Sequence, residues 1–356
     1  MRAETACPII IYSASPRECS RRTVRFALRK WECANVCYTV AFHIVEITPA
    51  LLLRREIFRI LRIKSVYGNI ILIAASPTVP IITEKSFDMN GASRIKQIKI
   101  YTGKCFRVFL NEKGWKTFIS SAIITLLISS VTSKSMFSEY APTRNGAFAL
   151  VCACIWIGIF ISIQSICKER DIIKREHRSG LHISSYVASH MLFEMTLCAV
   201  ESIIVTMITY MRNAGHMPDS GVLLGTFAEL AVTFFLIIYS SDALGMMVSS
   251  IVKTPNTAMT VMPFILIIQL VMSGMIFELS GITETISKLT IAKWGLDAIC
   301  ITANVNAMDN YLAPLFSEYE YSVSHMSQLW LTLIIFTVIY GIISVVSLRF
   351  VDRDKR

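Results

Sequence analysis

Residues 167–194 read CKERDIIKREHRSGLHISSYVASHMLFE, a charged stretch set between two long apolar runs at 146–166 and 188–211. Either run can cross a hydrocarbon core about 30 Å thick, which takes about 20 predominantly apolar residues. Between them crowd Lys168, Arg170, Lys174, Arg175 and Arg178. Short basic links between spans stay on the cytoplasmic side, because translocating that charge is disfavoured. This stretch therefore sets both class and orientation: a polytopic, all-α membrane protein with this link inside. Charge alone leaves the link's own role open between a solvated topological spacer and a working contact.

Working outward, the composition agrees with that class. The 356 residues are 54% hydrophobic and 17% charged, whereas soluble domains carry about 25% charged residues. Mean hydropathy is +0.55. The formal net charge of +10 comes from basic residues gathered at span ends, where they orient the chain and meet anionic lipid headgroups. No basic patch interleaved with aromatics is present, so nucleic acid is excluded as a partner. Of the ten cysteines, Cys152, Cys154 and Cys198 sit in apolar runs, where the thiol is a small hydrophobe. Cys33 and Cys37 find no second pair to complete a zinc set, and Cys300 falls in an expected outer loop. Neither a metal nor a structural disulfide is expected.

Hydropathy places six spans at 116–131, 146–166, 188–211, 222–252, 257–279 and 329–350. One side of this unit holds the basic residues from Lys96 to Lys116, the 168–178 cluster, Lys253 and the basic tail from Arg349 to Arg356, with Arg353 and Lys355. The other holds only Lys134, Arg144, Arg212, Lys288 and Lys293. The richer side is cytoplasmic, so both ends of the unit, the C-terminus included, face the cytosol. Ahead of the first span, Ile95, Ile98, Cys105, Phe106 and Phe109 approximate one helical face, with Lys96, Lys99, Lys104 and Arg107 off it. That pattern suits a helix lying in the membrane interface. Gly114 ends it and Trp115 marks the interface. Residues 1–91 form a separate segment. Up to Lys64 they carry ten arginines against two lysines, and their two apolar runs, 34–53 and 67–82, are broken by Pro49, Pro77 and Pro80. No structure or function is assigned to them; the six-span domain is 92–356.

The ordered string Glu169, Arg170, Arg175, Glu176, Gly180, Tyr186 resembles the first intracellular loop of type-2 ABC exporter permeases, the G subfamily in particular. A second match runs from Lys253-Thr254-Pro255-Asn256 through Pro263 and Ser273-Gly274-Met275-Ile276 to Trp294-Gly295-Leu296-Asp297-Ala298. The resemblance covers 96–356. It implies a connecting helix over the amphipathic segment, a coupling helix at 168–180 that docks on an ATPase domain, and a re-entrant outer segment before the last span. It further implies that Glu169, Arg170, Arg175 and Glu176 belong to the coupling loop. Met275 and Ile276 would form a hydrophobic gate, with Ile267 and Leu270 facing the inner cavity. By pattern alone the same Met-rich helix reads more readily as packed core or a lipid-facing surface. Members of that family usually carry the ATPase on the same chain, and their outer loops in some cases carry several cysteines; both features are missing here.

No GxxxxGK[ST] loop occurs, and Gly103-Lys104 is followed by Cys105. Without that backbone cradle for phosphates the chain is not expected to be a P-loop ATPase itself, and no His-Glu-x-x-His, Gly-x-Ser-x-Gly or Ser-x-x-Lys constellation appears in a plausible context. It is expected to bind no cofactor, leaving ATP and Mg to a partner ABC ATPase. A homodimer, or a heterodimer with a similar permease, would form the pathway. A rival reading rests on intramembrane carboxylates, which are expensive in hydrocarbon and often functional. Glu201 and Asp242 would then serve an ion-gradient-driven secondary transporter. The third class is a non-transporting assembly factor.

Overall fold

A computed structural model describes residues 93–133, 135–218, 220–277, 279–308 and 319–350. The segment 1–91, Lys134 and the tail residues Arg353, Lys355 and Arg356 lie outside the described residues. Among those described, the chain is helical with no strand. Its helices are α1 (Arg94–Asn111), α2 (Lys116–Val131), α3 (Tyr140–Ser162), α4 (Ser165–Arg178), α5 (Ile183–Arg212), α6 (Thr226–Ile251), α7 (Pro255–Val271), α8 (Ile282–Ser287), α9 (Ile291–Thr302) and α10 (Val323–Arg349), with a 3₁₀ turn at Val305–Ala307.

The stretch α3–α4, Tyr140–Arg178, runs for 39 residues with only a short break. At 1.5 Å per residue that is about 58 Å, nearly twice the hydrocarbon thickness. The charged end, α4, must therefore project beyond the apolar layer. Long, apolar α5, α6 and α10 also suffice to cross a membrane. The pair α1–α2 counts as a further span only if its 72° bend is ignored. That bend has a local cause. Lys113 takes a left-handed φ of 56°, and the Gly114 N–H reaches back to the Phe109 carbonyl at 2.8 Å. Every segment expected to span contains helix, but α2 has 16 residues and α7 has 17. The described residues thus hold four helices of spanning length, or five with the bent pair. The chain is an integral, multi-pass membrane protein.

The packing is that of helices in lipid. On α2 the buried residues are Ser121, Thr125 and Ser129, four apart, while Ile119, Ile123, Leu126 and Leu127 face outward. Small polar residues at helix contacts and apolar ones outside are the membrane pattern. At the centre α3 packs on α6. Their approach depends on glycine: a Cβ on Gly158 would meet the Ile238 carbonyl oxygen, and one on Gly245 would meet the Ser162 hydroxyl.

Two expectations change. Helix α7 stops at Val271 rather than running to 279, because Gly274 turns the chain at φ 78°. Cys300 lies not in an outer loop but in α9, fully buried. Helix α9 packs on α3, α6 and α10, and the Gln269 side-chain oxygen of α7 accepts from the Ala292 N–H in its first turn at 3.2 Å.

Candidate functional site

The 167–194 stretch forms α4, a turn through Gly180 and the first half of α5. Gly180 sits at φ 101°, a conformation that costs a side chain dearly and glycine little. The turn holds α4 against α1 through one residue. The buried Gln97 donates from Nε2 to the Gly180 carbonyl at 3.3 Å and accepts at Oε1 from the His182 N–H at 3.1 Å.

Three of the four expected coupling residues make specific contacts. Glu176 accepts from the Tyr101 hydroxyl at 2.7 Å and lies 3.7 Å from Lys104 Nζ, both on α1. Glu169, two turns earlier on the same face, accepts from the Tyr186 hydroxyl at 2.9 Å. Its carboxylate stands 3.8 Å from His190 Nε2, which in turn is 3.8 Å from Cys105 Sγ on α1. Arg170 is buried and turns the other way, to α6. Arg175 is exposed, and the contact to the neighbouring helix α1 is made by the adjacent Glu176. Beneath these polar links lies a small apolar cluster of Tyr101, Ile166, Ile173, Tyr186, Met246 and Leu348. Its members come from α1, α4, α5, α6 and α10.

Gln97, Tyr101, Lys104 and His190 were not distinguishable as site residues from sequence. One signal existed for Gln97: it is polar beside the apolar positions of α1. The packed face of α1 is centred on Gln97 and Tyr101, whereas Ile95 is 78% exposed.

At the far end of α7, Met275 is half-buried against the core and Ile276 is exposed. Met275 donates its N–H to the Ser273 hydroxyl at 3.3 Å. Leu270 packs on the core, while Ile267 is exposed on the single chain. The carboxyl groups of Glu194, Glu201 and Asp242 are buried in α5 and α6. Glu229 is different. Its carboxylate accepts from the Leu223 and Leu224 N–H groups and the Thr302 hydroxyl, at 2.8, 3.3 and 2.7 Å. No group of three or more His, Cys, Asp or Glu among the described residues is placed to hold a metal.

The fold and the site together define a helical membrane bundle whose charged helix α4 is bonded to the helices around it. Residues 96–303, more than half of the chain, match the ABC-2 type transporter membrane family, and the protein belongs to that family. The chain is also 24% identical over 249 residues to the ABC transporter ATP-binding/permease protein Rv1747 of Mycobacterium tuberculosis. That alignment covers 67% of this chain and 29% of the relative, so the chain spans under a third of the relative's length. The matched residues are thus an ABC-2 type transporter membrane domain, and these 356 residues contain no GxxxxGK[ST] motif.

Proposed function

We propose that the protein is the transmembrane subunit of an ATP-driven exporter, powered by a separate ATP-binding cassette subunit and paired with a second permease. Six segments, α2, α3, α5, α6, α7 and α10, cross the membrane, with α1 in the cytoplasmic interface and the C-terminus in the cytosol. The observation that supports this reading best is α4. It is basic, long enough with α3 to leave the bilayer, and bonded to α1, α5 and α6 within a family whose members serve ABC transport. An ATPase pushing on α4 would move all three helices. Reconstitution with its ATPase should give ATP-dependent movement of a fluorescent phospholipid or a hydrophobic dye. Movement driven by a pH gradient without ATP would contradict this and favour the Glu201 and Asp242 route.

The gate belongs to the same reading. Met275 and Ile276 stand just past the Ser273-Gly274 turn, where α7 ends, and would separate inner from outer cavities, with Ile267 and Leu270 lining the inner one. Replacing both with Ala removes bulk without touching α4. Probe moved per ATP should fall several-fold, while ATP hydrolysis continues. An unchanged ratio would remove the gate assignment.

A further inference from the structure

Every helix begins with N–H groups and ends with carbonyls that lack intrahelical partners. At the start of α4 the N-cap residue, Gln164, makes no side-chain cap. The need is met from another helix. Ser249 of α6, fully buried, accepts at Oγ from the N–H groups of Ile166 and Cys167, at 3.2 and 3.1 Å. The end of α6 is capped in turn by α4. Arg170 Nη1 donates to the carbonyls of Ser250 and Val252, each at 2.9 Å. Cationic groups are favoured at helix C-termini by the helix dipole as well as by the hydrogen bonds. The Ser347 hydroxyl of α10 adds a third bond, to Ser250 O at 3.1 Å. Helices α4 and α6 thus cap one another, each supplying a side chain to the other's backbone.

The short connection from α6 to α7 gives this joint its direction. Only Val252, Lys253 and Thr254 separate the two helices. Pro255 starts α7 with its φ already fixed, and the Thr254 hydroxyl accepts from the Thr257 N–H at 3.2 Å. A link this short and this constrained absorbs little displacement. The geometry points to Ser249 and Arg170 as positioning residues that carry movement of α4 through the last turn of α6 into α7, the helix of Ile267 and Leu270. This rests on the ABC exporter reading above. The pair gives coupling a contiguous physical route, in which Ser249 has no assigned part so far.

The test needs no substrate. In the full permease–ATPase complex, an Ile267→Cys reporter is labelled with a maleimide in the absence of nucleotide and with ATP plus vanadate. The same protein without that cysteine serves as control. The labelling rate should change with nucleotide when Ser249 is present. Ser249→Ala should reduce that change about tenfold, within the range that residues along a coupling route produce, while basal ATP hydrolysis stays within about twofold. Ser249→Thr, which keeps the hydroxyl, should preserve it. Arg170→Met should reduce the labelling change as Ser249→Ala does, and the double variant should reduce it no further than either single, as members of one joint are non-additive. No nucleotide dependence with Ser249 intact overturns the exporter reading and the joint with it. Dependence that survives Ser249→Ala overturns the joint alone. Should the Ala variant fail to insert, spin labels at Lys168 and Asn256 in the otherwise unaltered protein decide. An unchanged distance between nucleotide states supports a rigid joint, and a changed one overturns it.

Discussion

Glu169→Arg is expected to abolish most nucleotide-driven transport while leaving the protein inserted. Glu169 accepts from the hydroxyl of Tyr186, a residue with no exposed surface. Reversing the charge removes that acceptor and sets a guanidinium against His190, now 3.8 Å from the carboxylate. A buried hydroxyl left without a partner costs about 1–3 kcal/mol. Every 1.4 kcal/mol is about tenfold in an equilibrium, so a loss of about fivefold or more in transport and in ATPase stimulation is expected. An exposed ion pair would give far less, about 0–1 kcal/mol. Membrane insertion depends on the apolar spans and should be unaffected. Both activities are measured in proteoliposomes beside the unaltered protein. If both stay at the unaltered level, α4 is a topological spacer.

The second large effect is on assembly. Gly158→Val places a branched side chain where a single Cβ already meets the Ile238 carbonyl oxygen, with the Asp242 N–H beside it. These are backbone atoms of α6, and they cannot swing aside as a side-chain tip can. Overpacking in a filled interior costs about 1–3 kcal/mol, occasionally more, and here it separates the two central helices. The yield of monodisperse protein on size-exclusion chromatography should fall to a small fraction. Gly103→Val is the control, because a Cβ there meets nothing. Equal yields from the two variants would mean that α3 and α6 are not held at this distance.

Sequence and structure part company where neighbours across helices decide. The existence of α2, α3, α5, α6 and α10 was legible, because hydropathy over about 20 residues reports immersion in lipid directly. The helix bounds 116–131 agree with expectation to the residue. Hydropathy did not reveal α9, because its 12 residues are too few to read as a span and short apolar runs carry little periodic signal; only the family match at Trp294-Gly295-Leu296-Asp297-Ala298 fell within it. The family string picked out Glu169, Arg170 and Glu176, all of which find partners, but not those partners. Tyr101 and Lys104 lie more than 70 positions upstream of Glu176, and Ser249 lies more than 80 beyond Ile166. Such pairings depend on how helices rotate about one another, which local pattern does not encode. Arg175 shows the same limit from the other side. Its position in the string matched, yet it sits on the exposed face of α4 while Glu176 meets α1.

That exposed face offers the most direct test of the central claim, that α4 is where an ATPase engages this permease. A photo-crosslinking amino acid at Arg175, in the full chain in native membranes, should capture an ATP-binding cassette subunit, identified by mass spectrometry, with a yield that changes when ATP and vanadate are added. Adducts to lipid alone, or none to any ATP-binding cassette protein while the permease is correctly inserted, would contradict it.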